Sequence, residues 1–219
     1  MDFRKARERM VEEQIANRGV RDRRVLDAMR TVPREVFVSH GQERAAYDDC
    51  PLPIGAGQTI SQPYIVAVMI EAAKLQPEDR VLEVGAGSGY ASALMSLIAG
   101  EVYAIERHAS LSEEAVRRFA RLGYTNIQLR TGDGTKGWPE AAPFDAIVVA
   151  ASGPAAPRTL KEQLAIGGRL VIPVGNETQH LVRIRRKDET HFEEEDLGLV
   201  MFVRLVGEEG WPSDRKARG

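Results

Sequence analysis

Apolar residues change their spacing along this chain, and the changes divide it into stretches of different kind. Phe3, Ala6, Met10, Val11 and Ile15 recur at helical intervals among many charges, which predicts an amphipathic helix from Phe3 to about Ile15. Asp22 is placed to cap a second short helix carrying Val25, Leu26 and Met29, and Val32 with Pro33 ends it. The pair Val36 and Phe37 predicts a further short turn. Pro51 to Pro63 then reads PLPIGAGQTISQP, with three prolines, two glycines and no charged side chain, and predicts a loop before the apolar stretch from Tyr64 to Ala73.

Beyond Pro77 short β-rich runs alternate with helical windows: RVLEVG, Ser88 to Ala99, EVYAIE, Ser110 to Leu122, NIQLRTG and FDAIVVAA. That alternation is the signature of an α/β fold with a parallel sheet covered by helices. Ser110 and Glu113 have the spacing of a capping box, and Gly123 stands where the helix should stop. A proline-rich connection, SGPAAP, leads to a helical window at Leu160 to Leu164, a glycine pair and the strand RLVIPVG. QHLVRIRR and the longer run LGLVMFVRLVG, separated by the charged KDET, are expected to finish the sheet as an antiparallel pair.

The expected organisation is one domain over 1–219. Residues 1–76 hold helices and a loop, 77–175 a ligand-binding α/β core, 176–211 antiparallel strands, and 212–219 a polar tail prone to fraying. The chain is 43% apolar and 28% charged with a formal charge of −2, which offers no electrostatic footprint for nucleic acid. No apolar run approaches the roughly 20 residues of a membrane span, and MDFRKARERMVEEQ is charged where a signal peptide needs an apolar stretch. A cytoplasmic protein with no membrane partner is expected. Cys50 is the one cysteine, and the histidines at 40, 108, 180 and 191 show no ligand spacing, so neither a disulfide nor a metal is expected.

Candidate chemistry begins at VLEVGAGSGY. Gly85, Gly87 and Gly89 line a turn between a strand and a helix, at the sheet edge where open α/β folds bind ligands. Turns before helices also attract glycine for conformational reasons alone. Glu106 ends the next strand, 21 positions after Gly85, where a carboxylate can accept from both ribose hydroxyls of a nucleoside cofactor. That spacing fits a dinucleotide or S-adenosylmethionine; the dinucleotide pattern needs glycine at 90, and Tyr90 there favours a ligand without a pyrophosphate. Asp133, before Gly134, is either an acceptor for an adenine amino group or half of a turn-forming Asp-Gly pair. Glu83 sits in an apolar strand, where a carboxylate needs a partner, and a cationic ligand group would supply one.

These residues resemble the protein-L-isoaspartate O-methyltransferases, class I enzymes that repair aged proteins with S-adenosylmethionine. The resemblance covers Asp49 to Pro63, Val81 to Tyr90, Glu106, Gly132 to Trp138, Phe144 to Val149, Gly167 to Gly175 and Leu205 to Trp211. The first of these is the family's fingerprint; the others occur in looser form across class I methyltransferases. It implies a Rossmann-like, mostly parallel sheet of seven strands with helices on both faces and an added N-terminal helical segment. It also implies cofactor contacts at Thr59, Ile60, Ser61, Glu83, Gly85, Gly87, Glu106, Asp133 and Gly134, with Ser61 as the catalytic residue. Isoaspartyl peptides and proteins are the implied partners, and a monomer is expected. Ala56, the turn at Ser152 to Pro157 and Arg204 depart from the family pattern, in loops that bear on substrate preference rather than on the cofactor.

The implied chemistry explains a loop without acid or base. A free α-carboxyl titrates at about 3.3 to 3.7, so the acceptor arrives ionised and no general base is required. Joining a carboxylate to a sulfonium methyl makes opposite charges disappear, which a dry, uncharged loop favours through orientation and restricted hydration. Ser61 is expected to position the carboxylate, and Ser-x-Pro before an apolar window is also an ordinary helix start. The rival readings are a methyltransferase for another carboxylate, a nicotinamide-dependent oxidoreductase and a cofactor-binding protein without catalysis.

Overall fold

Asp2 and Asp22 start the first two helices by one device, each carboxylate accepting an N–H that the first turn leaves free. Asp2 accepts from the Lys5 amide at 3.1 Å at the head of α1 (Phe3–Arg9), and Asp22 from the Arg24 amide at 2.9 Å at the head of α2 (Arg23–Thr31). The computed structural model describes residues 1–213; of the tail expected over 212–219, residues 214–219 lie outside the described part. The expected first helix is built in pieces. After α1 comes a π-helical stretch, Met10–Ile15, and a 3-10 turn, Ala16–Arg18, that stops at Gly19 with φ 109°. Met10 and Ile15 are five positions apart, the hydrogen-bonding span of the wider π turn, and both are buried.

The stretch from Pro51 to Pro63 is not a bare loop. It holds an antiparallel hairpin, β1 (Leu52–Gly55) and β2 (Gln58–Ile60), with Leu52 opposite Ile60 and Gly55 opposite Gln58. Ala56 and Gly57 turn it with φ of 50° and 68°, the hand that matches a twisted two-stranded ribbon. Leu52 and Ile54 face inward while Pro53 and Gly55 face out. Two prolines in so short a run hide that alternation from a sequence reading. α3 (Pro63–Ala73) follows, with Pro63 in its first turn, where a missing N–H costs nothing.

The sheet is assembled from β3 (Arg80–Val84), β4 (Glu101–Glu106), β5 (Ile127–Thr131), β6 (Phe144–Val149), β7 (Leu164–Gly175), β8 (Gln179–Arg186) and β9 (Phe192–Val200), with α4 (Tyr90–Ser96), α5 (Ala109–Leu122) and α6 (Arg158–Glu162) in the connections. Its order is β5-β4-β3-β6-β7-β8-β9. The first five are mutually parallel, and β8 and β9 return antiparallel, so the seven-stranded, mostly parallel sheet is as expected. Three boundaries need correction. His108, without a side-chain bond, is the cap of α5, so Ser110 lies inside the helix and the capping box does not form; Gly123, at φ 77°, does end it. β7 starts at Leu164, before the glycine pair, with a register shift against β6. β9 starts at Phe192, inside the charged FEEED, because it is an edge strand with Glu193, Glu194, Glu195 and Asp196 exposed to water.

Period-two alternation sorts the sheet residues onto two faces. Val81, Val102, Ala146, Val148 and Val171 pack with α2, α3, α4, α5 and the N-terminal helical segment. Leu82, Val84, Ile105, Ile147, Val149, Leu170 and Ile172 build the opposite core with Leu160 of α6. The N-terminal segment therefore shares a core with the sheet.

Candidate active site

β3 lies between β4 and β6, so the chain leaves it toward opposite edges of the sheet and a crevice opens at the strands' carboxyl ends. The glycine turn fills the floor of that crevice. Gly85 and Ala86 both donate to the Ile105 carbonyl, at 2.8 and 3.2 Å, which carries the β3–β4 pairing past the end of the strand. Gly89 caps α4 with φ 88°, and a Cβ there would meet the Phe119 ring at 2.6 Å, so this glycine serves helix packing as well as the turn.

Glu106, at the end of β4, is 4% exposed. One carboxylate oxygen accepts from the Gly87 amide at 2.9 Å and the other from the His108 amide at 2.8 Å. This grip fixes the carboxylate between the glycine turn and the start of α5, and each oxygen keeps a lone pair for a further donor. Glu83 is buried on the helix-rich face, where the Ser92 hydroxyl of α4 donates to it. Burial pushes its carboxyl up to about 8, the Ser92 bond opposes the shift, and the nearby Glu106 charge adds to it. Among the described residues no cation pairs with Glu83 in a salt bridge.

Thr59, Ile60 and Ser61 form the end of the hairpin opposite the glycine turn. Ser61 precedes Gln62, the residue that caps α3 without a side-chain bond, so the serine does not serve as the helix cap its sequence context suggested. Its carbonyl accepts from Arg34 Nη2 at 2.8 Å. The hydroxyl makes no hydrogen bond among the described residues.

Asp133 stands apart. One oxygen accepts from the Thr135 amide at 2.9 Å and hydroxyl at 2.7 Å, and the other from the Glu208 amide at 2.8 Å. These bonds hold its pKa below the usual carboxylate value against the opposing effect of burial. Of its two sequence readings, the turn-forming one is what the geometry displays, extended by a clasp on the C-terminal loop. Trp211 closes the same clasp by donating from its indole to the Ser152 carbonyl at 2.9 Å.

One pocket of about 960 Å³, counting its open mouth, is lined by Thr59, Ile60, Ser61, Glu83, Gly85, Gly87, Glu106 and Gly134, and not by Asp133. Residues separated by up to 75 positions are thus brought together. Tyr90, Val148, Ala150, Val203, Leu205 and Val206 lie on the same wall without having been expected there, beside Arg204, which the sequence marks as bearing on substrate preference. In the sequence Tyr90 signals only the lack of a glycine, and the apolar residues Val203, Leu205 and Val206 carry no local signal of a pocket, since strand-like apolar residues also line cores. Among the described residues no group of acids, histidines or cysteines is arranged to hold a metal.

The family model for protein-L-isoaspartate(D-aspartate) O-methyltransferase matches residues 5–210. A protein-L-isoaspartate O-methyltransferase from Brucella anthropi is 56% identical over 213 residues, 96% of this chain and 98% of its own length. One from Rhodopseudomonas palustris is 58% identical over 213 residues, covering 96% of this chain and 87% of its own. A solved protein-L-isoaspartate O-methyltransferase superposes with a TM-score of 0.84 at 30% identity, over 93% of this chain and 67% of its own. Another, from Plasmodium falciparum in complex with S-adenosyl-L-homocysteine, gives 0.79 at 28% identity over 91% and 98%.

Proposed function

The chain belongs to the protein-L-isoaspartate(D-aspartate) O-methyltransferase family, and from that premise we propose how its residues divide the work. The protein is an S-adenosylmethionine-dependent enzyme that methylates the free α-carboxylate of L-isoaspartyl residues in damaged peptides and proteins. When bound, S-adenosylmethionine supplies an electrophilic methyl group on a cationic sulfonium.

The residues present fit that cofactor. Glu83 is a buried carboxylate with a hydroxyl as its partner, and a cationic amino group would complete its coordination. Glu106 is immobilised by two backbone amides with lone pairs to spare for ribose hydroxyls. Gly85, Gly87 and Gly134 bring bare backbone to the pocket wall, and Thr59, Ile60 and Ser61 close it from the hairpin side. Asp133 acts through Gly134, whose position it sets from behind.

Ser61 positions the acceptor. The carboxylate of an isoaspartyl residue is ionised at neutral pH, so the chain has to orient it and keep water away rather than remove a proton. A hydroxyl that donates to the carboxylate orients it while slightly weakening it as a nucleophile, which limits the effect of Ser61 to a moderate one. The single observation that carries this reading is that Ser61 and the Gly85 to Ser88 turn face one pocket although no local pattern links them. Radiolabelled methyl transfer to matched isoaspartyl and aspartyl peptides tests it. The isoaspartyl peptide alone should be labelled, and Ser61→Ala should lower kcat/KM about ten- to a hundredfold while leaving cofactor affinity nearly unchanged. Equal activity of variant and parent would remove Ser61 from the mechanism.

We further infer one domain over the whole chain, because the N-terminal segment and the sheet share a core. A cytoplasmic monomer without a nucleic-acid or membrane partner fits the formal charge of −2 and the acidic β9, whose like charges oppose edge-to-edge pairing. A sedimentation experiment checks the monomer.

A further inference from the structure

Arg34 carries a charge that none of the roles above uses. It stands in the short turn Arg34–Val36 and is 0% exposed. A buried guanidinium is ordinarily balanced by a carboxylate, because a desolvated lone cation is costly. Here Nε donates to the Ala46 carbonyl at 2.7 Å and Nη2 to the Ser61 carbonyl at 2.8 Å, and Nη1 is buried without an acceptor. Its guanidinium carbon lies 4.8 Å from the centre of the Tyr90 ring. Tyr90, whose hydroxyl is a hydrogen-bonding neighbour of the guanidinium, stands around it with Tyr47 and Cys50, and among the described residues no carboxylate forms a salt bridge with it. Burial lowers its pKa from the ordinary arginine value, yet a guanidinium stays protonated at neutral pH. Ser61 and Tyr90 both line the pocket, so this charge lies behind the stretch of wall they form, where the role given to Ser61 would bring the substrate carboxylate.

We propose that Arg34 is a positioning residue for the isoaspartyl carboxylate, held in place through the Ser61 carbonyl and supplying from behind the wall the positive field that captures the anion. The inference rests on the role given to Ser61. It also assigns the effect to a particular kinetic step. A fixed cation stabilises the carboxylate while it is charged, and esterification removes that charge, so the field assists capture and not turnover. KM for the peptide should rise when the Arg34 charge is removed, and kcat should stay level or rise slightly.

The experiment compares binding of an isoaspartyl peptide with binding of its uncharged α-carboxamide counterpart, by calorimetry on the full chain saturated with S-adenosylhomocysteine. The parent should prefer the carboxylate by about tenfold or more, the scale of one charge acting across a few ångströms of protein. That preference should persist into about 1 M salt, because a buried charge is screened far less than an exposed one such as Arg204 at the pocket rim. Arg34→Met should reduce the preference about tenfold and leave carboxamide binding within about threefold. Equal weakening of both peptides would make Arg34 a mere clamp and overturn the proposal, as would an intact preference in Arg34→Met or a parental preference that salt abolishes. If Arg34→Met does not fold, Arg34→Lys keeps the charge without the two-carbonyl fork, and loss of the preference in that variant would be equally fatal. Ser61→Ala measured alongside separates the two ideas: unchanged turnover would discard the role of Ser61, whereas the Arg34 outcome is read from the binding ratio alone.

Discussion

Glu83 places a titratable carboxyl where only its neutral form is comfortable, and the consequence is a pH dependence of known sign. In the folded, ligand-free protein burial raises it to about 8, against a usual value of 4.5. Its contribution to stability is fully present below the unfolded value and is lost as pH rises through about 8, because the unfolded chain gives up its proton first. Thermal unfolding should therefore show the parent losing Tm between about pH 4.5 and pH 8 relative to Glu83→Gln, which has no charge to bury, and levelling off above that. A cationic group docking on Glu83 reverses the balance by favouring the carboxylate, so cofactor binding should release a proton below about pH 8 and tighten as pH rises toward it. Calorimetry in buffers of different ionisation heat measures that proton, and Glu83→Gln should abolish it while weakening binding about tenfold or more. The sequence already singled out Glu83, since a carboxylate inside VLEV is hard to dismiss; what it could not reveal is that Ser92 from the next helix is its partner.

Ala56 decides the shape of the hairpin in which Ser61 is anchored. An alanine at φ 50° costs about 1 kcal/mol or more relative to glycine in the left-handed region, whereas glycine costs about 0.4 to 1 kcal/mol through the freer unfolded chain. The first effect is slightly the larger, so Ala56→Gly should raise Tm by about 1 to 3 °C, and a β-branched Ala56→Val should lower it. Scanning calorimetry checks both. Most elements of the sheet were legible because period-two runs and their glycine stops are local signals: RVLEV, EVYAIE, FDAIVV and QHLVRIRR are strands as read. The exceptions have physical causes. β9 has charges on a water-facing edge, the β1–β2 hairpin hides behind prolines, and the cap of α5 falls on His108 because Glu106 already holds that residue's amide.

At the scale of the whole molecule, the C-terminal loop is tied back onto the turn that carries Gly134, and Asp133 is one of the ties, beside Thr135, Lys136 and Trp211. Asp133→Ala removes its bonds from Thr135 and from Glu208. At about 1.5 to 3 kcal/mol for a well-made bond to a charged group, less where water competes, the variant should lose several degrees of Tm. Its cofactor affinity should fall less than that of Glu106→Ala, for which a loss of about 1.5 to 3 kcal/mol is expected. If Asp133→Ala kept its Tm and lost cofactor affinity to the same degree, Asp133 would be a ligand rather than a tie. Sequence alone determined most strands of the large sheet, the glycine turn at its edge, the acid at the end of β4 and the family, because hydrophobic period and turn chemistry act over a few residues. Only the tertiary structure decided that Ser61 shares a pocket with that turn, that Arg34 holds the Ser61 carbonyl, that Asp133 accepts from Thr135 and Glu208, and that Val203 to Val206 line the same wall. Those facts depend on strand order and on which of two faces a side chain takes, and a single step of register exchanges one face for the other.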